Sequence, residues 1–327
     1  MEITRLTTRR TILDCIDRWN AIHPSVPFAR RLAAQRIFMP APGVSATVWG
    51  VVPESGDAPV GFAITKHLSR PVPGYEDATT GWLSLFTLDP VACDVADDGA
   101  DLLETALSHL RDRGVTTVIL GSDIRKFMPA LPRPVHDHYT DLLEAVDFEA
   151  GGTVADLYCD LRAPGTDERL SEHRSLSASV DVGPVEPATE PALHDFMARE
   201  FPGRWQFQVE ANCTHPGGVD DYWVVRDEGE VVAFARTGTA DSPVLSACLN
   251  WVEKWGPRTC GLGPIGVAES RRREGHGLLL IANVMAAFRE RGYQHMVIDG
   301  VADGLRGYYA QLGFEPAIEF VSYRATL

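Results

Sequence analysis

Apolar and polar positions along the chain fall into two series of the same design. In the first, "TVWGVV" (47–52), "PVGFAITKHLS" (59–69) and the longer "GWLSLFTLDP" (81–90) carry the short β-branched and aromatic runs of strands. "ADLLETALSHLRDRG" (100–114) has the spacing of an amphipathic helix. A buried strand "VTTVILGS" (115–122), a helix "TDLLEAV" (140–146) and a strand "GTVADLYCDL" (152–161) complete it. The second series opens with a hairpin, "YWVVRDEG" (222–229) and "EVVAFARTGTA" (230–240). A strand "CGLGPIGVA" (260–268), a helix "GHGLLLIANVMAAFRERG" (275–292) and a strand "YQHMVIDGV" (293–301) follow. A helix "LRGYYAQLG" (305–313) and a last strand "AIEFVSYRA" (317–325) close the chain. Strands followed by crossover helices predict an α/β fold with a mixed sheet in each half, and the repeated order predicts an internal duplication.

Between the series, "DLRAPGTDERLSEHRSLSAS" (160–179) is polar and without period, which predicts a first domain over 1–163, a linker over 164–178 and a second domain over 179–327. The 327 residues give each half the length of an ordinary domain, and 45% hydrophobic content supplies ample core. A formal net charge of −15 argues against a nucleic-acid binder. No apolar run is long enough to span a bilayer, and "MEITRLTTRR" lacks the apolar stretch of a signal peptide, so a cytoplasmic protein with no membrane partner is expected, as a monomer or homodimer. Six scattered cysteines without a CxxC pair predict reduced thiols and no metal site.

On this acidic body, "AESRRREGHG" (268–277) concentrates positive charge between a strand and a helix. A helix start exposes unpaired N–H groups and the positive end of the dipole, and glycines let an anion approach the backbone. Arginines add charge and forked donors. The stretch therefore predicts an anion trap. Its spacing is neither GxGxxG nor a Walker loop. The matching place in the first half, "DVADDGADLLETAL" (94–107), has Asp94 and Asp97 where the arginine and first glycine stand, with Gly99 at the second glycine. Carboxylates there repel phosphate and serve instead to cap the helix.

"GPIGVAESRRREGHGLLL" followed by "YYAQLGF" resembles the Gcn5-related N-acetyltransferase (GNAT) superfamily, whose signature is Arg/Gln-x-x-Gly-x-Gly/Ala after a strand and a tyrosine shortly before Gly-Phe. Arg272, Gly275 and Gly277 fill the turn, and Tyr309 precedes Gly313-Phe314. The resemblance is specific over 261–314 and architectural elsewhere. It implies acetyl-CoA or another acyl-CoA as co-substrate. The pyrophosphate would lie on the backbone of Arg272, Arg273, Glu274, Gly275, His276, Gly277 and Leu278. The pantetheine arm would pair with Ile265, Gly266 and Val267, with the Val267 amide as an oxyanion donor. Tyr309 is the implied general acid. His194, Asp299 and Glu253 are the candidate bases. The first half, with Leu143 in place of the tyrosine, is expected to have kept the fold and lost the coenzyme.

Trp205, Trp251 and Trp255 fall in segments expected to flank the amine channel, where aromatic faces suit sugars or apolar chains. The implied activity is N-acyltransfer to a primary amine of a small or medium molecule. In plan the chain is similar to the mycothiol synthases and to the acyltransferases acting on an amino sugar of glycopeptide antibiotics, so an amino sugar in antibiotic biosynthesis is one expected acceptor. A non-catalytic acyl-CoA-binding regulator and a protein N-acetyltransferase are the alternatives.

Overall fold

The computed structural model describes residues 1–56, 58–75, 78–176 and 179–327. The chain divides into two compact units, 1–154 with 318–327, and 155–317. In the first unit β1 (Glu2–Leu6), α1 (Arg9–Ile22), α2 (Arg30–Phe38), β2 (Val44–Val52), β3 (Gly61–Leu68) and β4 (Thr80–Leu88) precede α3 (Asp97–Arg111) and β5 (Thr117–Leu120). The short β6 (Leu131–Pro132), α4 (Arg133–His136) and α5 (Thr140–Ala145) follow. A long strand, β7 (Glu149–Asp160), carries the chain across the unit boundary. The second unit contains α6 (Thr166–Ser171), β8 (Val180–Pro184), α7 (Glu190–Glu200), α8 (Arg204–Cys213), β9 (Tyr222–Asp227) and β10 (Glu230–Gly238). It continues through α9 (Val252–Trp255), β11 (Thr259–Val267), α10 (His276–Glu290), β12 (His295–Ala302) and α11 (Asp303–Ala310). The final strand, β13 (Glu315–Thr326), begins in the second unit and ends in the first.

Strand order in the first unit is β1-β2-β3-β4-β5-β13, and in the second β7-β12-β11-β10-β9-β8. Each sheet is mixed: β4 and β5 run parallel, as do β11 and β12, whereas β1–β2, β2–β3, β3–β4 and β5–β13, and β8–β9, β9–β10 and β10–β11, pair antiparallel. The division falls earlier than residue 163, and the closing residues of the chain return to the first unit, where Arg324 pairs with Ile119 on β5. The stretch expected as a plain linker contains α6, whose Leu170 is buried; its last residues, 177–178, lie outside the described residues. Pattern alone finds the strand but not which sheet it joins.

In the second unit the sheet has helices on both faces, set by the alternation of side chains along each strand. Val225, Ala233 and Ala235 face α10, whose run Leu279–Met285 packs into one core. Val224 and Phe234 face the other way, onto Leu193, Phe196 and Met197 of α7 and Val209 of α8. Among the described residues, no helix is long and apolar enough to cross a membrane.

Candidate active site

Strands β11 and β12 pair only at Thr259↔His295, Cys260↔Met296 and Gly261↔Val297, and then part. The cause lies on the other side of β11. Its register against β10 shifts so that Gly263 and Pro264 together face Arg236, a bulge of two residues against one. Gly263 sits at φ 136°, outside the range that suits a side chain. Beyond the bulge β11 continues along β10, and a gap opens towards β12.

Backbone alternation decides what faces the gap. The Ala268 N–H donates to the Val232 carbonyl. Successive pairs of an antiparallel ladder alternate between bonded and unbonded, so Gly266 pairs with Phe234, while Ile265 and Val267 turn their N–H and C=O groups away from β10. The Val267 carbonyl accepts from the Arg272 Nε at 3.4 Å, in keeping with that direction. Two amides thus line the gap on the strand that leads into the arginine turn.

The turn itself alternates in backbone hand. Arg273 has φ 67° and Gly275 φ 89°, and α10 starts at His276. A non-glycine residue held at positive φ is uncommon, and Arg272 before it is extended, so the chain bends sharply between the strand and the first amides of α10. Arg272, Arg273 and Glu274 are exposed. Arg271, by contrast, is engaged by Asp227 and by Glu274, the latter at 3.2 Å, so it serves to fix the turn. His276 is buried and neither ring nitrogen has a hydrogen-bond partner. Gly277 is required by space: a Cβ there would stand 2.2 Å from the Tyr308 hydroxyl. Leu278 is half-buried against the α10 core.

Where the strands part, side chains gather. Asp299 on β12 accepts from the fully buried Cys248 thiol at 2.9 Å, and both lie beside Gly263. Tyr309 on α11 is held up to about 12, by burial first and then by the charges of Cys248 and Asp299, so its hydroxyl stays protonated. Behind them Asp156 of β7, fully buried, accepts from the Gly300 N–H at 2.7 Å and the Trp251 indole at 2.6 Å. Asp156 carries no motif; only the fold puts its residue next to β12.

The other expected residues are distributed differently. Trp251, expected on the acceptor side, is completely buried and its indole is spent on Asp156. Trp255 stacks on Tyr158 at 4.9 Å, whose hydroxyl meets His295, at the paired beginning of β11. At about 3.3 Å per residue that is roughly 26 Å along the strand from Val267. Both tryptophans lie in the one connection between β10 and β11. Glu253 lies exposed between them on the one-turn α9. Trp205 sits on a helix, α8, half-buried with Phe201 and Phe234, and Phe201 covers Gly266. His194 on α7 places its Nε2 3.5 Å from Glu190 Oε1, with Cys213 alongside. That group belongs to the α7–α8 face, while Tyr309 packs with the α10 core.

In the first unit the equivalent positions are closed. The Asp89 N–H donates to Val60, as Ala268 does to Val232, so Leu88 corresponds to Val267. The Leu88 N–H is taken by the Tyr139 hydroxyl at 3.2 Å, and Tyr139 also bonds Thr87 at 2.8 Å. At the head of α3, Asp94 Oδ1 accepts from the Ala96 and Asp97 N–H groups. Gly99 matches Gly277: a Cβ there would meet Leu142 at 2.8 Å, where the second unit has Tyr308.

A bulged strand parting from its parallel neighbour, followed by a glycine–arginine turn onto a helix, defines the class: a tandem protein of acetyltransferase fold. Residues 190–314, within the second unit, match the model of the acetyltransferase (GNAT) family. A GCN5-related glucosamine N-acetyltransferase region of a fungal multi-domain GH3 beta-N-acetylglucosaminidase superposes with a TM-score of 0.80 at 20% identity, over 99% of this chain and 38% of that one. This chain therefore spans well under half the length of that relative. A tandem GNAT protein from the clavulanic acid biosynthesis pathway superposes at 0.70 with 16% identity, over 99% of this chain and 98% of that one. A GCN5-related N-acetyltransferase from Sphaerobacter thermophilus does so at 0.70 with 13% identity, over 99% and 95%. At these identities the likeness establishes the fold. No curated protein matches the sequence significantly.

Proposed function

We propose that the second unit is an acyl-CoA-dependent N-acyltransferase acting on a primary amine of a small molecule. The observation that carries this reading is the pair of outward amides at Ile265 and Val267, on the strand that leads into the left-handed turn at Arg273 and Gly275 and the head of α10. The turn and the head of α10 would hold a pyrophosphate, with Arg272 and Arg273 exposed at the rim to meet its charge. The Ile265 and Val267 amides would hold the pantetheine arm. The bound co-substrate supplies an activated thioester carbonyl. The Val267 N–H would be the donor for the carbonyl oxygen that gathers charge. Alignment of amine and carbonyl in the parted strands supplies much of the rate, up to roughly 7–11 kcal/mol.

Of the three candidate bases, Asp299 is the one beside Tyr309 at the gap. Asp299 accepts the proton of the ammonium, and Tyr309 returns one to the departing thiolate. The first unit, with Leu88 and the α3 amides already bonded internally, takes no coenzyme in this reading. For the acceptor, the half-buried Phe201 and Trp205 offer an aromatic face of the kind that sugars stack on. A neighbour described as a glucosamine N-acetyltransferase and another from clavulanic acid biosynthesis share the plan, which supports an amino-sugar acceptor and a biosynthetic role. Thiol release from acetyl-CoA and longer acyl-CoAs against a panel of amino sugars, amino acids and polyamines tests this. Turnover confined to one amine class is expected. No acceptor-dependent release with any donor would refute it.

A further inference from the structure

We propose that Glu190, His194 and Cys213 form a binding site for a divalent metal ion of the zinc class. The first two are four residues apart on α7, which puts them on one edge of the helix. Cys213 is the last residue of α8. The carboxylate oxygen, imidazole nitrogen and thiol sulfur all lie within 4.8 Å of one another, and all three residues are half-buried.

Zinc bonds of about 2.0–2.3 Å set donors roughly 3.3–3.8 Å apart, so an ion is accommodated by small side-chain rotations. Glu190 and His194 are already 3.5 Å apart. The surrounding helices are fixed: Leu193, Phe196 and Met197 anchor α7, and Val209 and Ala211 anchor α8. The ligands therefore stand on rigid elements. Sulfur, nitrogen and carboxylate oxygen together select a borderline-soft ion over calcium or magnesium. One thiolate and one carboxylate neutralise a dication, and half-burial leaves the fourth tetrahedral position for water or a ligand. On binding, the Cys213 S–H bond breaks, the proton goes to solvent and the sulfur lone pair forms the metal bond, with no change of oxidation state. Burial first, then the Glu190 charge, holds the free thiol up at about 11, while Arg236 pulls it down. Metal binding relieves the conflict between the two anions. Sequence gave no sign of this site, because the ligands are brought together by two packed helices rather than by a short spacing.

The site shares no residue with the Arg272–Leu278 turn or with Ile265–Val267. The test uses the full chain, stripped with chelator and titrated with Co²⁺ and then Zn²⁺. One Co²⁺ per chain is expected, with tetrahedral ligand-field bands, a thiolate-to-cobalt charge-transfer band, release of a proton, and displacement by Zn²⁺. Cys213→Ser should abolish the charge-transfer band, and Glu190→Gln, at a partly exposed helix start, should weaken affinity at least about tenfold without changing the unfolding midpoint of the stripped chain. A missing charge-transfer band in the unaltered chain, or unchanged affinity in Glu190→Gln, overturns the proposal.

Discussion

Tyr308 and Tyr309 are consecutive and do different work. The hydroxyl of Tyr308 closes over Gly277, and that of Tyr309 stands near Asp299 and Cys248. Tyr309→Phe should lower kcat by about 10²-fold or more and leave KM within a factor of about two, since it removes a proton donor and little contact. Because the group is held up to about 12, no alkaline fall in kcat from its ionisation should occur below about pH 11; steady-state pH profiles of wild type and variant check both. Gly266→Ala should destabilise by about 1–3 kcal/mol, as a Cβ would meet Phe201 at 2.5 Å and Phe234 at 2.6 Å in a packed aromatic cluster. Urea unfolding measures it. At this scale, what was legible in sequence is what is local. Gly275, Gly277 and Tyr309 carry their signal in spacing along one turn and one helix. The indole bond of Trp251 to Asp156 was not legible, because its partner stands 95 positions away in the chain. Asp156 was invisible, since its value comes from Gly300, 144 positions along the chain.

Among elements, the informative comparison is between the heads of α3 and α10. Both follow a strand in the same sheet position, yet α3 bonds its first amides to Asp94, whereas α10 follows a left-handed glycine and has no side-chain cap. Asp94→Ala should cost the first unit about 1 kcal/mol through the lost cap, with coenzyme affinity unchanged. Denaturation and calorimetric titration of the same variant separate the two effects. The contrast in charge was plain from "DVADDGAD" and "SRRREGHG". The bulge at Gly263-Pro264 was not, because "CGLGPIGVA" reads equally as a regular strand. Register belongs to the pair of strands, and one strand does not state it.

For the whole molecule, the duplicated plan was readable and the ownership of the closing strand was not. Ile318–Leu327 completes the first unit, through antiparallel pairing with β5. Hydrophobic alternation marks a strand without naming its neighbour. The first unit also holds a buried group whose titration weakens it in acid. His23 is buried against Thr87 and Tyr139 and its pKa is lowered to about 4, by burial and then by the charge of His138. The folded chain thus favours the neutral ring. That stability is complete above pH 6.5 and is lost as pH falls towards 4, by up to about 3 kcal/mol. Urea midpoints of wild type and His23→Gln at pH 7 and 4.5 should show a smaller acid loss in the variant.

In the proposed function a nucleotide diphosphate seats on the head of α10 and not on that of α3. A crystal structure of the full chain with acetyl-CoA tests it most directly. Pyrophosphate density on the amides of Arg272–Leu278, with the arm along Ile265–Val267 and nothing at the head of α3, is the result expected. Density at the head of α3, or a coenzyme bound away from the start of α10, would contradict it.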